Sequence, residues 1–259
     1  PLINFNPPSV LNNEQMEIPN IPFPNYFNGE IATSGIISNT NIGYIYVFSE
    51  WPTALAEQQF YQAVASLQNT DALIIDMRWN EGGWAEWQDA FKILSKDSIY
   101  TLQSVQRCNP SNFDLCPIND QEDFMIEGSG YTQYDKPIAV LLGPNCFSDG
   151  DINAYRLRYL NNVRTFGKPT WASLGENEFV NIAGWGASFS NRDRFHINNP
   201  GNYLNRKEFP IDFPVWHNRD DVAQGKDAVV EAALNWIYNS TDIRNNNNDT
   251  NIPLDYTLL

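Results

Sequence analysis

Short uninterrupted runs of apolar residues give the clearest structural signal along this chain. Residues 72–76 read Ala-Leu-Ile-Ile-Asp, and residues 137–142 read Pro-Ile-Ala-Val-Leu-Leu. Runs of this length without polar alternation are typical of strands buried on both faces of a parallel sheet. Residues 43–48 are rich in β-branched and aromatic side chains and predict another strand, and a further strand is predicted over residues 99–106.

Apolar residues at helical spacing alternate with these strands. Phe60, Val64 and Leu67 recur at close to the helical period and predict a helix that begins near Thr53. The predicted helices cover residues 53–68, 83–94, 148–160 and 227–238. Alternating strands and helices indicate an α/β fold with a largely parallel sheet and flanking helices. In such folds the chemistry gathers in loops at the carboxyl ends of the strands.

The two ends of the chain differ in composition from the middle. Residues 1–28 contain six prolines and no glycine, which predicts an extended connector because proline interrupts helices and central strands. Residues 29–238 are predicted to form one core domain. Residues 239–259 include a run of four asparagines and predict a polar, Asn-rich C-terminal tail.

Charge and composition narrow the classes of partner. The 259 residues include 31 acidic and 16 basic side chains, which gives a net charge of −15. Such a field repels phosphate backbones and anionic lipids, so we expect neither nucleic-acid binding nor membrane attachment. No apolar run approaches the ~20 residues that cross a bilayer, so we expect no membrane insertion.

The three cysteines indicate whether the protein is located in an oxidising or a reducing compartment. Cys108 and Cys116 bracket a short polar loop that a local disulfide could hold, and the alternative is two free thiols in a reducing compartment. We expect the disulfide. Together with many asparagines and few lysines, it favours an exported protein, whether periplasmic, at the cell surface or secreted.

The first loop with possible chemistry follows the strand at residues 72–76. It reads Asp76-Met-Arg-Trp-Asn-Glu-Gly-Gly83 and leads into a predicted helix. The paired glycines Gly82 and Gly83 allow backbone amides to face outward at a helix start, a geometry that can stabilise an oxyanion. The alternative is an ordinary tight turn between a strand and a helix.

The second loop follows the strand at residues 137–142 and ends at Ser148. This serine lies between a strand end and a helix start, where a nucleophile elbow would place it. Ser148 and Asp151 also fit a capping box, which would need no catalysis. Cys146 is a rival nucleophile, although a small buried thiol is the simpler interpretation.

Four segments in order resemble the C-terminal processing (tail-specific) and tricorn-core family of serine peptidases. Residues 76–83 resemble its aspartate–hydrophobic–arginine–x–asparagine–x–Gly-Gly block. The strand that begins at Lys136 and the following Phe-Ser-Asp-Gly-Asp at residues 147–151 resemble its nucleophile segment in the tricorn-like form. Residues 166–171 resemble the next block, and residues 222–234 resemble the closing helix.

The resemblance implies a ClpP/crotonase-like core that hydrolyses peptide bonds. Ser148 would be the nucleophile of a serine endopeptidase. The backbone amides of Asp149 and of Gly83 would form the oxyanion hole, with Gly82 as the alternative donor. The implied partner is a polypeptide substrate, and no cofactor is implied.

The general base is where the sequence departs from the family. Ser173 occupies the position of the tail-specific lysine, and Asn205 occupies that of the tricorn-like glutamate. Lys168 is expected to be a solvated surface lysine, and His196 and His217 are expected to be structural. The family's N-terminal helical region and PDZ domain have no counterpart in this sequence.

Two explanations of the absent base stay open. The chain could be the catalytic core of a longer protease whose missing N-terminal region supplies the base. It could instead be a degenerate domain that binds a peptide or protein through the old cleft. A crotonase-like enzyme of another class ranks third, because no phosphate-binding glycine loop is visible. Two histidines without a Cys-x-x-Cys motif make a zinc site an unfavourable interpretation, and we expect no metal.

Overall fold

The protein is described here by a computed structural model that covers residues 18–83, 87–109, 111, 114–130, 134–175, 177–190 and 192–240. Its strands are β1 (Ala32–Ile36), β2 (Ile42–Val47), β3 (Ala72–Asp76), β4 (Leu102–Arg107), β5 (Leu115–Pro117), β6 (Ile138–Leu142), β7 (Val163–Gly167), β8 (Asn177–Ile182), β9 (Trp185–Ser190), β10 (Arg192–His196) and β11 (Phe213–Pro214). Its α-helices are α1 (Thr53–Ser66), α2 (Gln88–Phe91), α3 (Asp149–Leu157), α4 (Arg219–Ala223) and α5 (Ala228–Ser240).

The centre of the described fold is a six-stranded sheet in the order β1-β2-β3-β6-β7-β11. Strand β1 pairs antiparallel with β2, and the remaining neighbours pair in parallel. The predicted α/β fold with a largely parallel sheet and flanking helices is therefore confirmed. Because Asp76 pairs with Leu141 at the carboxyl ends of β3 and β6, the loops that follow these strands leave the same edge side by side.

Helices cover both faces of this sheet, which explains why its central strands are continuously apolar. On one face, alternate strand residues such as Tyr44 and Ile74 pack against α5. On the other face, the intervening residues such as Ile45 and Ile75 pack against α1 and α3. All five residues of β3 and all five of β6 are buried.

Several element bounds differ from the predicted ones. The helix predicted over residues 83–94 is only the single turn α2 followed by a 3-10 turn at Lys92–Leu94, and residues 84–86 lie outside the described part. Its apolar residues Trp87, Ala90 and Phe91 are buried in the core, but they lie on a helix of only four residues and the residue before it. The predicted helix start at Gly83 is therefore wrong, because the first described helical residue after it is Gln88.

The predicted N-terminal connector contributes to the core. Ile18 and Ile21 are each 1% exposed and pack in the apolar layer beneath α5, although prolines surround them. The Ile18 N–H donates a hydrogen bond to the Tyr46 hydroxyl at 2.9 Å, which fixes this segment on β2. The division at residue 28 stays a prediction. Residues 1–17 of the connector and 241–259 of the tail lie outside the described part.

Two small sheets complete the fold. Strands β10, β4 and β5 form an antiparallel sheet, and β8 and β9 form a separate hairpin. The predicted disulfide is confirmed, because Cys108 and Cys116 are joined beside the pair β4–β5. Among the described helices, none has the length and apolar character needed to span a membrane.

Candidate active site

Ser148 stands at the N-cap position of α3 in a conformation that is unfavourable for a serine. Its φ of 60° and ψ of −124° lie outside the regions that residues with a Cβ normally adopt. The residue is half-buried. A strained, partly accessible serine between β6 and α3 is the arrangement of a nucleophile elbow.

The capping-box interpretation of Ser148 is only half correct. The Ser148 side chain makes no capping hydrogen bond to α3. The reverse half of the box is represented only by the Ser148 backbone N–H, which helps to lower the pKa of the Asp151 carboxyl. Burial raises the pKa of Asp151 to about 6, although the hydrogen bonds that it accepts lower it. The serine hydroxyl is therefore not used to cap the helix.

Asp151 also fixes a third chain segment near the serine. Its two carboxylate oxygens accept hydrogen bonds from the Ala172 N–H at 3.2 Å and from the Ser173 N–H at 2.9 Å. The backbone of Trp171 joins the same loop, because its N–H donates to the Cys146 carbonyl at 2.9 Å. The segment after β7 is thus held beside the nucleophile loop by one buried carboxylate.

Gly82 lies directly against Ser148. A Cβ placed on Gly82 would be 2.7 Å from Ser148 Cβ, 2.8 Å from the Phe147 carbonyl oxygen and 3.1 Å from the Asp149 backbone nitrogen. Contacts this short leave no room for a methyl group, and the Gly82 φ of 79° also favours glycine. The paired glycines and the serine, predicted on separate loops, therefore meet in space.

The two glycine amides are not equivalent. The Gly82 N–H donates a hydrogen bond to Asn80 Oδ1 at 2.8 Å, so it is already used within its own loop. Gly83 forms a parallel bridge with Glu50, and a Cβ on Gly83 would lie 2.4 Å from the Glu50 carbonyl carbon. The Glu50 N–H donates to the Gly82 carbonyl at 2.8 Å. The Gly-Gly pair thus continues the parallel pairing of β2 and β3 past the ends of both strands.

Asn80 joins the three segments that surround the serine. Its side-chain Nδ2 donates to the Val47 carbonyl at 3.3 Å, and its own carbonyl accepts from the Phe147 N–H at 3.2 Å. Asn80 is fully buried and also packs against Gly150, where an added Cβ would lie 2.6 Å from its Oδ1. This positioning residue was not predicted, although it is the asparagine of the family block.

Beneath the glycine loop lies a buried polar cluster around Glu50. Its Oε2 accepts from Asn153 Nδ2 at 2.8 Å, and Asn153 Oδ1 accepts from Arg156 Nη1 at 2.7 Å. Burial, followed by the charge of Asp149, raises the pKa of Glu50 well above its usual range. This cluster connects the backbone of the Gly-Gly pair to α3. The cluster was not predicted, because Glu50 follows a strand and belongs to no recognised motif.

A second buried cluster anchors the start of the same loop. The Arg78 guanidinium binds Asp76 through Nη2 and Oδ2 at 2.7 Å and Asp227 through Nη1 and Oδ2 at 2.7 Å. Asp227 Oδ1 accepts from the N–H groups of Val229 and Val230 at the start of α5. Burial lowers the pKa of Arg78, but Asp227 and Asp76 outweigh it and the net pKa is raised.

The candidate bases have other partners. His217 Nε2 lies 3.4 Å from Arg78 Nη1, and His196 Nδ1 lies 2.9 Å from the Tyr159 hydroxyl. Burial lowers the pKa of both imidazoles. Lys168 Nζ lies 5.2 Å from the centre of the Trp216 ring. His196 is the last residue of strand β10. None of these recorded contacts involves Ser148.

Cys146 is not a competing nucleophile. Its side chain is 0% exposed, and burial, followed by the charge of Asp151, raises the pKa of its thiol well above the usual value. A neutral, inaccessible thiol cannot attack a substrate. Metal-ligating side chains also form no group of three or more within the part of the chain that the structure describes.

We expect Gly82→Ala to lower the hydrolysis rate by at least about 100-fold, since the new methyl group would displace Ser148 or the Asp149 amide. The measurement is kcat/KM on a peptide substrate with circular dichroism as a folding check. Gly184→Ala is a matched control, because Gly184 also has a positive φ but has no atom within 4 Å of the added Cβ. Equal rates for both variants would contradict the placement of Gly82.

Comparison with known proteins identifies related folds. The model of peptidase family S41 matches residues 41–190, which is more than half of the chain. A candidate peptidase from Parabacteroides merdae has a similar structure, with a TM-score of 0.70 and 19% identity over 91% of this chain and 70% of that one. Mature CPAF in complex with lactacystin has a TM-score of 0.67 and 14% identity over 83% of this chain and 55% of its own.

A lipoprotein from Streptococcus agalactiae also shares the fold, with a TM-score of 0.56 and 14% identity over 83% of this chain and 72% of that one. No curated protein sequence matches the chain. The chain thus spans about half the length of CPAF and 70% of the Parabacteroides protein. At these identities the solved structures establish the fold alone.

Proposed function

This chain belongs to peptidase family S41, a family of serine-type peptidases, and on that premise we propose that Ser148 is the nucleophile of peptide-bond hydrolysis in it. The observation that carries the proposal is the contact between Ser148 and Gly82. A serine in a strained conformation, whose hydroxyl caps nothing, is packed against a glycine at the position where family resemblance places the oxyanion loop.

In the proposed reaction, Ser148 Oγ attacks the carbonyl carbon of the scissile bond and its proton passes to a general base. The carbonyl oxygen becomes an oxyanion, which the backbone N–H groups of Asp149 and Gly83 would stabilise. The Gly83 N–H is a better candidate than the Gly82 N–H for the second oxyanion donor, because the Gly82 N–H already donates to Asn80 Oδ1. Return of the proton to the leaving amine would release the first product, and water would hydrolyse the acyl-enzyme.

The same observations favour an enzyme over a degenerate binding module. Strain at a non-glycine residue costs about 1–3 kcal/mol and persists where the surrounding structure enforces it. A binding module would gain nothing from a strained serine. We also propose the tricorn-like branch, because Ser173 stands at the tail-specific lysine position and Asp151 of Ser-Asp-Gly-Asp holds the segment after β7 beside the nucleophile loop.

The disulfide bears on localisation. A bond between Cys108 and Cys116 is favoured in an oxidising compartment. We therefore propose that the protein is exported. Polypeptides in the periplasm, at the cell surface or in the medium would then be its substrates.

A fluorophosphonate probe tests the proposal directly. We expect one covalent adduct on the protein, seen as a single mass increment, and none on Ser148→Ala. Cys146→Ala is the matched control and should be labelled like the unmodified protein, since its thiol is buried. An adduct that persists in Ser148→Ala would contradict the assignment.

Labelling in the presence of added imidazole distinguishes a protein that lacks only the general base from one in which Ser148 is not the nucleophile. If the protein reacts only when imidazole is added at ~10–100 mM, the serine and oxyanion groups are in place and the proton acceptor lies outside this chain. If neither condition gives an adduct on a folded protein, the proposed nucleophile is wrong.

A further inference from the structure

The β8–β9 hairpin carries four large apolar side chains that are exposed to solvent, more than any other described element. Ile182 is 63% exposed, Trp185 is 81% exposed and Phe189 is 46% exposed. All six residues of β9 are exposed. An isolated exposed apolar residue needs no explanation, but several on one small element mark an interaction surface.

These apolar side chains share one face of the hairpin. In the antiparallel register, Ile182 pairs with Trp185, Val180 with Ala187, and residue 178 with Phe189. Directly paired residues project from the same face, and alternate pairs share it. The face that carries Val180, Ile182, Trp185, Ala187 and Phe189 is called the apolar hairpin face below. The opposite face is more polar, with Asn181 and Ser188 beside the exposed Phe179.

The root of the hairpin reaches the proposed active site. A cavity of about 330 Å³ lies where the hairpin joins the body, and residues lining it include Trp171, Ser173, Phe189 and Asn205. The Ser173 N–H donates to the Asp151 carboxylate at 2.9 Å, and the Trp171 N–H donates to the Cys146 carbonyl at 2.9 Å. Cys146 and Asp151 lie within three residues of Ser148, so the cavity lies close to the nucleophile loop. Trp171, which is 69% exposed, extends the apolar surface towards it.

We propose that the apolar hairpin face is a substrate-docking surface that binds an extended polypeptide segment carrying aliphatic or aromatic side chains. The inference rests on the proposed peptidase function, because the substrate is the partner that must pass from this surface to Ser148. The closeness of this surface to the nucleophile loop and the low charge of the hairpin indicate that its occupant is the polypeptide substrate. Residues 177–190 hold one ionisable side chain in a protein of net charge −15, so recognition there is apolar.

The hairpin also offers backbone groups to an extended chain. Within the described structure, β8 and β9 pair only with each other, so each keeps an outer edge. A peptide can add to such an edge as a further strand, with its alternate side chains on the apolar face. A six-residue strand is about 20 Å long, so the surface has room for about six residues of an extended peptide.

The test measures peptide binding without cleavage. The protein carries Ser148→Ala, and the probe is a fluorescein-labelled 14-residue peptide with Phe, Leu and Ile at alternate positions. We expect Ile182→Thr with Trp185→Thr to weaken binding at least about tenfold by fluorescence anisotropy. Threonine preserves strand propensity. A peptide with serine at the apolar positions should bind weakly to both proteins.

The matched control replaces exposed apolar residues elsewhere, Phe27→Thr with Val222→Thr, which are 74% and 50% exposed. We expect this variant to bind the apolar peptide within twofold of the parent. Equal losses in both double variants, or no loss in either, would overturn the proposal. If the hairpin double variant does not fold by circular dichroism, Trp185→Thr alone provides the comparison.

Light scattering distinguishes a second copy of the chain as the occupant. A parent dimer that becomes monomeric in the hairpin variant, with unchanged peptide binding, would overturn substrate docking. The result is independent of the nucleophile assignment, because binding needs no cleavage. If the unmodified protein gives no fluorophosphonate adduct but peptide binding still depends on the hairpin, only the assignment of Ser148 as nucleophile is rejected. If the adduct forms but peptide binding does not depend on the hairpin, only the docking surface is rejected.

Discussion

Replacing Ser148 by glycine is expected to abolish peptide hydrolysis and to raise the free energy of unfolding by about 1 kcal/mol. The activity falls because the attacking hydroxyl is removed. The stability rises because glycine, which has no Cβ, adopts the φ of 60° and ψ of −124° at this position without strain. Hydrolysis of a fluorogenic peptide and urea denaturation measure the two effects.

Two further variants separate the causes. Ser148→Ala should lose activity without the gain in stability, because alanine keeps the Cβ. Asn39→Gly should change the free energy of unfolding by less than Ser148→Gly, since Asn39 has a similar φ of 61° and asparagine tolerates left-handed conformations well. A Ser148→Gly protein no more stable than Ser148→Ala would show that this backbone is not strained.

Replacing Arg78 by methionine is expected to lower the free energy of unfolding by about 3–5 kcal/mol. The change removes the charge between Asp76 and Asp227 and leaves two carboxylates that are 3% and 0% exposed without their counter-ion. Denaturation with urea at pH 7 gives the loss.

Arg158→Met is the matched control for that measurement. Arg158 Nη2 binds Asp212 Oδ1 at 3.1 Å, but these side chains are 27% and 28% exposed. An ion pair so accessible to water contributes less than about 1 kcal/mol. Similar losses in the two variants would mean that the Arg78 cluster is no stronger than a surface pair.

The parts of the fold that the sequence predicted are those in which local pattern and burial coincide. Strands β3 and β6 are buried on both faces, so each appears as an unbroken apolar run. Helix α5 places Val230, Ala233 and Ile237 on its buried side at helical spacing. The hairpin β8–β9 was not predicted, because its apolar residues face solvent and follow no core pattern.

The site was predicted less completely, because its supporting residues have distant partners. Ser148, Gly82 and Gly83 stand in short motifs at strand ends, and parallel pairing of β3 with β6 was enough to bring their loops together. Arg78 depends on Asp227, and Glu50 depends on Asn153. Pairs between residues so far apart in the sequence produce no local pattern from which they could be predicted. The helix expected after Gly83 failed because Trp87 and Phe91 bury their rings from a single turn.

The ion pair between Arg78 and Asp227 sets an order for folding during synthesis. Strand β3 and the glycine loop are made early, whereas Asp227 and α5 are among the last described residues to leave the ribosome. Until then, the guanidinium that fixes the start of this loop lacks one of its two carboxylates. A nascent chain therefore holds its glycine loop without one of the ion pairs that fix its start until Asp227 and α5 have been made.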